Sequence, residues 1–470
     1  MIIHISVIAG YFLLVMLLSF YTRKLASGSS NEYLVAGKNL GVIVCSIVVA
    51  AEWLGGMSTI GVSEKAYTSG TLQPVLYNIS TAAGMIIIGF TLAYYYRKNN
   101  VHTVSEMLEK LFGKEAKKVS AISFLLAYIT LAYVQLQTCA SVIAPLFGIS
   151  WNVAVIASSV VITIYTFWGG MHAIALTGIL HITVMILGTG IALFTGITEI
   201  GGFAELGRQL AETGAPSDFY NPFSINLSDA FSLLLGGVLG GMAAQASIQP
   251  IFAAKNAATA KRAAILSAFI VAPFGIMTAF LGLIARTDYF MDSSAIENAK
   301  LVLPMLLSNE NFISPVLGGI ALAGLLAAIL STVGPVNFAV VTIATKDIYK
   351  GFINPDCDDR KLVKVARRLV ILVGLLSIPM AIFFRGGILE AAYVSYAIRA
   401  IGAIVILFGI YKSGWINEKT VKAAFIYGTI SVFLMIAVNS LEIIKIDKTY
   451  GAVTVALLII LINKLKPERK

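Results

Sequence analysis

The chain has 470 residues, of which 58% are apolar and only 12% are charged, against roughly 25% charged in an average soluble domain. This composition excludes an ordinary soluble enzyme. Because one membrane-spanning helix takes about 20 apolar residues, the apolar residues suffice for about thirteen such helices. The net charge of +10 does not indicate nucleic-acid binding, because most basic residues fall in loops on one side of the predicted membrane.

Apolar stretches bounded by charges or turn residues predict an all-α polytopic membrane protein. The thirteen predicted spans lie near residues 4–22, 40–63, 76–95, 119–146, 149–171, 172–196, 228–252, 262–286, 313–344, 367–385, 389–411, 421–439 and 448–465.

The distribution of basic residues predicts the orientation of these spans. No Lys or Arg precedes the first span, whereas Arg23 and Lys24 follow it directly, which places the N-terminus outside and, after thirteen spans, the C-terminus inside. In this topology 26 of the 34 basic residues lie in inner loops, 7 lie in outer loops, and Arg399 lies within a span. We therefore predict a multi-pass protein of the cytoplasmic membrane, in contact with lipid, with no evident obligate protein partner.

Two spans carry glycine pairs at corresponding positions. The second span contains Gly-Gly at 55–56, and the seventh contains Gly-Gly at 236–237 and at 240–241. The two spans are five apart and so run in opposite directions, as an inverted repeat requires. In transporters, the first helix of each repeat is often interrupted at mid-membrane, where its backbone faces ion and substrate. Glycine pairs also permit close helix packing, but two at matched positions favour broken helices.

The ninth span concentrates oxygen atoms in an apolar helix. Pro335 lacks an N–H and crowds the carbonyl four residues earlier, which frees the carbonyl of Ser331 beside the hydroxyls of Ser331 and Thr332. Uncharged carbonyl and hydroxyl oxygens are suitable ligands for a hard cation such as sodium. The alternative is that both hydroxyls bond back to their own helix and that the proline only bends it.

With these features the sequence resembles the sodium:solute symporter family. The resemblance covers nearly the whole chain and rests on the thirteen spans together with four short motifs. These are Ala-Gly-Lys at 36–38, Gly61 with Ala66-Tyr67 and Gly70, Phe-Trp-Gly-Gly at 167–170, and Ala-Ala-Ile-Leu-Ser-Thr at 327–332.

The resemblance implies a leucine-transporter-type 5+5 inverted repeat, in which spans 2–6 and 7–11 form the repeats. The chain then divides into a first peripheral helix (1–35), the first repeat (36–200), an external loop with the second repeat (201–411), and two peripheral helices with a short cytoplasmic tail (412–470).

The resemblance also implies where a coupling sodium binds. Two backbone carbonyls of the broken second span and three oxygen ligands of the ninth span are expected to hold it: Ala51, Leu54, Ala328, Ser331 and Thr332. Gly334 and Pro335 stand where some members carry further hydroxyls for a second sodium. We therefore predict one coupling sodium per cycle and no organic cofactor.

Two charged residues are predicted to lie clearly within spans, Glu52 and Arg399. Intramembrane ionisable residues are costly and indicate function by default. Three roles for Glu52 stay open: it binds an amino group of the solute, it carries a proton, or it pairs statically with Arg399. If both residues face a cavity, a zwitterion or a small carboxylate suits them, because arginine binds carboxylates through two parallel hydrogen bonds.

The sequence thus predicts a sodium-coupled secondary active symporter that imports a small polar organic solute by alternating access, with an amino acid or small carboxylate favoured. Interhelical hydrogen bonding is an equal alternative for the polar residues of the seventh span. A proton-coupled symporter using Glu52 and a transporter-like solute sensor are the rival functions. An enzyme is not expected, because the chain lacks a cluster of nucleophile and base. The predicted substrate-binding residues are Glu52, Trp53, Gly55, Ser58, Gln245, Ser247, Gln249 and Arg399.

Overall fold

The computed structural model describes residues 2–22, 39–99, 101–223, 226–292, 296–384, 386–441 and 446–465, without the side chains of 19, 22, 164–175 and 359. The Ala-Gly-Lys motif at 36–38 and the basic residues Arg23 and Lys24 lie outside the described residues. So do the side chains of the Phe-Trp-Gly-Gly motif at 167–170.

Helices make up nearly all of the described chain, and these ranges contain no β-strand, only an isolated parallel bridge between Leu40 and Ala254. The α-helices are α1 (Ile2–Thr22), α2 (Val42–Trp53), α3 (Val62–Ser69), α4 (Val75–Thr91), α5 (Ala93–Lys98), α6 (Val104–Phe112), α7 (Lys114–Phe147), α8 (Trp151–Ile200), α9 (Phe203–Glu212), α10 (Leu227–Met242), α11 (Gln245–Phe252), α12 (Ala257–Arg286), α13 (Val302–Ser308), α14 (Pro315–Thr342), α15 (Asp359–Phe383), α16 (Ile388–Tyr411), α17 (Glu418–Ser440) and α18 (Lys448–Leu465). Two π-helical segments, Met57–Gly61 and Ile343–Ile353, and two 3₁₀ turns, Ala299–Leu301 and Ser413–Trp415, complete the list.

These helices account for the predicted spans. Within the described residues, nine helices are long and apolar enough to cross a membrane, and the bent pair α2 and α3 makes a tenth. The shorter apolar helices Ile2–Leu18, Val75–Thr91 and Trp151–Thr163 correspond to spans 1, 3 and 5. The all-α polytopic fold predicted from the sequence is therefore confirmed.

The helix α8 contains both the fifth and the sixth predicted spans. It has 50 residues, which is about 75 Å of α-helix and more than twice the roughly 30 Å thickness of the hydrocarbon core. Its apolar segments with described side chains include Trp151–Thr163 and Leu176–Ile200. The predicted boundary between these two spans, at residues 171 and 172, lies within this continuous helix, among residues whose side chains are not described.

The helices pack in two groups with peripheral helices outside them. In one group α12 contacts α2, α3 and α4, and α10 contacts α4. In the other group α14 contacts α7 and α8, and α15 contacts the same two helices. The helix α16 contacts both groups through α10 and α7, whereas α1 packs on α14 and α8, and α17 and α18 pack on each other. The broken second span thus lies where the two groups meet.

The ninth span is longer than predicted. The helix α14 continues through the π-helical segment, so the span covers the 39 residues Pro315–Ile353 rather than ending near residue 344. Asp347, which was predicted to lie in an inner loop, is therefore fully buried, and Thr103 Oγ1 donates a hydrogen bond to its Oδ1 at 2.8 Å. Buried charges in the described spans are not limited to Glu52 and Arg399, which corrects the prediction.

Candidate cation and solute site

Three residues and a π-helical turn interrupt the second span near its middle. The helix α2 ends at Trp53, and the chain resumes at Met57 in a direction bent by 54°. The freed carbonyls are paired with hydroxyls of the turn: Ser58 Oγ donates to Trp53 O at 2.7 Å and Thr59 Oγ1 donates to Gly55 O at 3.0 Å. This pairing allows irregular backbone to persist inside the bilayer, where water is not at hand to bond it.

Four oxygens from the second and ninth spans converge beside this break. Ser331 Oγ lies 2.6 Å from Ala51 O and 2.7 Å from Ala328 O. Thr332 Oγ1 lies 3.5 Å from each of these carbonyls and 2.7 Å from Glu52 O. Each of the two carbonyls thus lies within 3.5 Å of both hydroxyls, and these are uncharged oxygens of the kind that a hard cation prefers. The structure thus brings together four of the five residues predicted to bind sodium.

The fifth predicted ligand, Leu54, caps α2 with non-helical backbone angles, φ −84° and ψ 31°. Its carbonyl therefore belongs to the break itself. The next residue, Gly55, faces the ninth span so closely that an added Cβ would overlap the side chain of Thr332. Gly55 was predicted to contact solute, but its position instead sets the approach of the two spans that carry the oxygens.

Glu52 connects these oxygens with the seventh span. Its backbone carbonyl accepts the hydrogen bond from Thr332, and its carboxylate Oε2 accepts one from Ser247 Oγ at the start of α11. No ion pair joins Glu52 to Arg399 within 4.0 Å among the ion pairs of the described residues. The structure therefore contradicts a direct Glu52–Arg399 salt bridge in this conformation, which was one of the three roles considered.

Arg399 is enclosed by tyrosine side chains in the middle of α16. It is 1% exposed, with its guanidinium carbon 4.2 Å from the Tyr396 ring centroid and 5.5 Å from that of Tyr128. Its Nη1 donates to the Tyr128 hydroxyl at 3.5 Å, while Nε and Nη2 have no partner among the described residues. Nε and Nη2 form one edge of the planar guanidinium, which is the geometry that a carboxylate bridges with two hydrogen bonds.

The aromatic wall of this region continues to Trp53. The Trp53 and Tyr396 rings are 6.0 Å apart, and the indole Nε1 is buried without a partner among the described residues. The Tyr396 hydroxyl lies 2.8 Å from that of Tyr77 on α4. A buried indole N–H usually finds an acceptor, so Trp53 Nε1 and the edge of Arg399 are unused donors of two side chains that both border the Tyr396 ring.

Ser58 makes hydrogen bonds between helices. Asn78 Nδ2 on α4 donates to Ser58 Oγ at 3.1 Å, and Thr278 Oγ1 on α12 donates to Ser58 O at 2.6 Å. These bonds bind the π-helical turn to both neighbouring helices of its group. They account for the buried hydroxyl without a solute, and we remove Ser58 from the proposed solute contacts.

The side chain of Gln245 in the seventh span is hydrogen-bonded at both ends. Gln245 Nε2 donates to His102 O at 2.9 Å, and its Oε1 accepts from Val104 N at 2.8 Å. Both ends of this amide therefore hold the segment before α6, and we also remove Gln245 from the proposed solute contacts. Gln249 is buried in α11.

Sequence reasoning missed the tyrosines around Arg399. Tyr77, Tyr128 and Tyr396 are each fully buried, and Tyr128 OH also accepts a hydrogen bond from Ala246 N at the start of α11. A tyrosine within an apolar span has to satisfy its hydroxyl, which is a signal that the sequence contained. The sequence does not reveal that Tyr128 of α7 and Tyr396 of α16 contact one guanidinium, nor that Tyr77 of α4 bonds to Tyr396.

Solved structures share this architecture. The chain matches a Na⁺-coupled sialic acid symporter in a substrate-bound outward-open state with a TM-score of 0.83 at 19% identity, over 98% of this chain and 97% of that one. It matches MhsT in complex with L-phenylalanine with a TM-score of 0.60 at 14% identity, over 91% and 98% of the two chains. Together with the broken span, these likenesses define the leucine-transporter fold.

The chain belongs to the sodium:solute symporter family, whose model matches residues 33–428. It is 27% identical to a sodium/glucose cotransporter of Vibrio parahaemolyticus over 78% of this chain and 72% of that protein. It is 24% identical to a sodium/proline symporter of Haemophilus influenzae over 98% and 94%, and to a human high affinity choline transporter over 79% and 66%. The family predicted from the sequence motifs is thereby confirmed.

Proposed function

We propose that this protein is a sodium-coupled symporter that imports a small polar organic solute by alternating access. Membership of the sodium:solute symporter family supports sodium-coupled symport of a small solute. The single observation that carries the proposal for this chain is the convergence of Ala51 O, Ala328 O, Ser331 Oγ and Thr332 Oγ1 beside the break. We infer one coupling sodium, held there with the carbonyl of Leu54.

We infer from the position of this cluster how sodium binding is coupled to movement of the solute. The oxygens come from two spans, α2 and α14, that belong to different packing groups. A cation between them favours the conformation in which the groups are together at this point. Separation of the groups would disperse the ligands and release the ion, so binding and release follow the alternating exposure of the site.

We further propose that the solute carries a carboxylate, as an amino acid or a small carboxylic acid does. The support is the unused edge of Arg399, together with the unpartnered Nε1 of Trp53, whose ring also borders that of Tyr396. Glu52 and Ser247 complete the polar lining, and Glu52 then suits an amino group where the solute has one. Because Glu52 also bonds through its carbonyl to Thr332, a solute at this position would act on the cation ligands directly.

The distribution of basic residues supports an orientation with the N-terminus outside and the C-terminus inside the cytoplasmic membrane. We retain the proposed division into a peripheral helix, two five-helix repeats and two further peripheral helices. Lipid is the surrounding medium in this proposal, and neither nucleic acid nor an obligate protein is needed.

The test begins with a thermal-shift screen of the purified protein against amino acids, carboxylates, vitamins, sugars and nucleobases, each with and without sodium. We expect a carboxylate-containing solute to stabilise the protein only in sodium, because ligand binding to the folded state raises the midpoint. Uptake of that solute is then measured in proteoliposomes with an imposed sodium gradient, and we expect a sodium-to-solute ratio of one.

Two outcomes would contradict the proposal. Uptake driven by a pH gradient in sodium-free buffer, abolished by Glu52→Gln, would indicate proton coupling. Sodium-dependent binding of the solute without any solute flux would indicate a sensor. The variant Ser267→Ala is a suitable control throughout, because this buried serine on α12 bonds only to the carbonyl of Ala264 in its own helix.

A further inference from the structure

A cavity that none of the proposed cation ligands lines lies on the face predicted to be external. It has a volume of about 680 Å³ and is lined by the end of α7, the start of α8, residues 296–301 and the end of α15. Its walls combine apolar side chains with amide and charged groups, and they include Trp151, Leu301, Phe384, Gln137 and Lys300. We call it the outer pocket. Its volume is in the range of cavities that bind small organic molecules.

The outer pocket contains a buried ammonium group. Lys300 is 4% exposed, and its Nζ donates to Gln137 Oε1 at 3.3 Å and lies 5.7 Å from the centroid of the Trp151 ring. Among the described residues no carboxylate lies within 4.0 Å of this nitrogen. The buried carboxylate of Glu64 on α3 acts on Lys300 electrostatically from a greater distance. Since a lysine has three donors and Gln137 accepts one of them, the ammonium group keeps donors for an anion in the pocket.

Gln137 is fixed in the orientation that directs its oxygen at Lys300. Its Nε2 donates to the carbonyls of Ala381 and Phe384 at the end of α15, at 3.0 and 2.5 Å. The amide oxygen is therefore the atom presented to the ammonium group. This arrangement holds Nζ at the wall of the cavity.

The walls favour an organic anion over a small inorganic one. Trp151, Leu301, Met305 and Phe384 provide apolar surface around the ammonium group. An inorganic ion such as chloride would satisfy Lys300 but leave most of the volume and the apolar wall uncovered. A carboxylate with an apolar body matches both features. Glu297 also lines the cavity, but it is exposed to solvent, which screens its charge.

The outer pocket is separate from the proposed solute site. Gln137 is nine residues from Tyr128 on the same helix, which corresponds to about 14 Å along α7. The two regions are nonetheless connected, because the 3₁₀ turn that carries Lys300 packs on α3 and on the π-helical turn of the second span.

We propose that the outer pocket binds an organic carboxylate, with Lys300 as its charge partner and Trp151 and Phe384 as its apolar walls. It is an additional binding site on the external side of the transport pathway. The proposal does not depend on which ion or solute the central site takes.

Saturation-transfer difference NMR on the full-length purified protein tests this proposal with benzoate as the probe and benzamide as its uncharged analogue. We expect Lys300→Met to weaken benzoate binding about tenfold, as loss of a charge-assisted bond implies, and Lys300→Arg to retain it. Arg399→Met, which alters the central site, should leave this signal in place. Asn152→Trp, at an exposed position on the pocket lining, should block binding without altering Lys300, and so provides a second test if Lys300→Met does not fold.

Three results would overturn the outer-pocket proposal. Benzoate binding that is unchanged in Lys300→Met and in Asn152→Trp would exclude the pocket. Equal binding of benzamide and benzoate would exclude recognition of charge. Loss of the signal in Arg399→Met alone would assign the probe to the central site, a result that supports the proposed solute site and not the outer pocket.

Discussion

The second and seventh spans were predicted to break at their glycine pairs, but the structure gives these pairs different functions. In the second span Gly55 and Gly56 lie within the break, and the chain bends there by 54°. In the seventh span the pairs lie inside α10, and the interruption comes after them, at Ala243 and Ala244. By length and composition, Leu227–Phe252 nevertheless qualifies as one membrane span.

The glycines of the seventh span serve helix packing. An added Cβ at Gly237 would overlap Ser80 on α4, and one at Gly240 would lie 2.8 Å from a ring carbon of Tyr396. Close approach, and not backbone freedom, therefore explains these two residues. A glycine pair in an apolar span indicates a tight contact, and only the contacts themselves reveal whether the helix also breaks there.

The largest expected effect comes from filling the contact at the second-span break. Gly55→Ala would force a methyl group into the Thr332 side chain, and we expect sodium affinity to fall about 100-fold, the upper end of what overpacking costs. Sodium-dependent thermal stabilisation measures this effect. Gly241→Ala is the matched control in the seventh span, because its Cβ would lie at an ordinary 3.5 Å from Trp53. If the two variants bound sodium with equal affinity, the proposed difference between the glycines of the two spans would be refuted.

Removing one oxygen that faces the second-span break should have a smaller effect. We expect Ser331→Ala to raise the sodium concentration for half-maximal uptake about tenfold, since a ligand to a charged group is lost. Thr332→Ala should behave similarly, whereas Thr332→Ser keeps the hydroxyl and should remain near wild type. Transport that proceeds unchanged in the Ser331→Ala, Thr332→Ala double variant would refute the proposed cation site.

A third prediction concerns the start of α11, after the seventh-span interruption. Ser247→Ala removes the donor to the Glu52 carboxylate, and we expect the KM for solute to rise about fivefold, the equivalent of one hydrogen bond. Sodium affinity should change by less than about twofold, since the loss is smaller than one charged ligand. Uptake kinetics at varied solute and varied sodium separate the two effects. A change in sodium affinity alone would show that α11 acts on the ion and not on the solute.

The smallest effect is expected at Gln245, the first residue of α11. Gln245→Ala leaves the N–H of Val104 and the carbonyl of His102 without their partner. We expect the thermal midpoint in detergent to fall by about 2–4 °C, as loss of about 1 kcal/mol implies, with little change in the KM for solute. Gln245→Glu keeps the acceptor for Val104 but places a buried carboxylate oxygen against the carbonyl of His102, and it should not recover the loss. A large rise in KM instead would restore Gln245 to the solute site.

Much of the fold followed from the sequence because lipid imposes few solutions on an apolar chain. The length of each apolar segment predicts the spans. The asymmetry of the basic residues predicts their orientation, which stays a prediction. Two of the proposed cation ligands could be predicted from the sequence because Ser331 and Thr332 are neighbours in the chain and lie near Pro335. Their close approach to Ala51, 280 residues earlier, was implied by resemblance and not by any local pattern.

The solute region was harder to predict because its members are scattered. Arg399 was identified by its cost in a membrane, but the tyrosines in contact with it come from α7 and from its own helix α16. Gln245 and Ser247 are two residues apart with similar polarity, yet one bonds to the segment before α6 and the other to Glu52. Which partner a buried polar side chain has depends on three-dimensional contacts that spacing in one helix does not encode.

The unusual length of the ninth span has a mechanical consequence. Thr332, one of the proposed cation ligands, and Asp347, which accepts a hydrogen bond from Thr103, belong to the same helical span. Fifteen residues separate them, about 22 Å of α-helix. A change in the tilt of this span at Thr332 would also displace Asp347, so we expect ion binding and the Thr103–Asp347 hydrogen bond to change together.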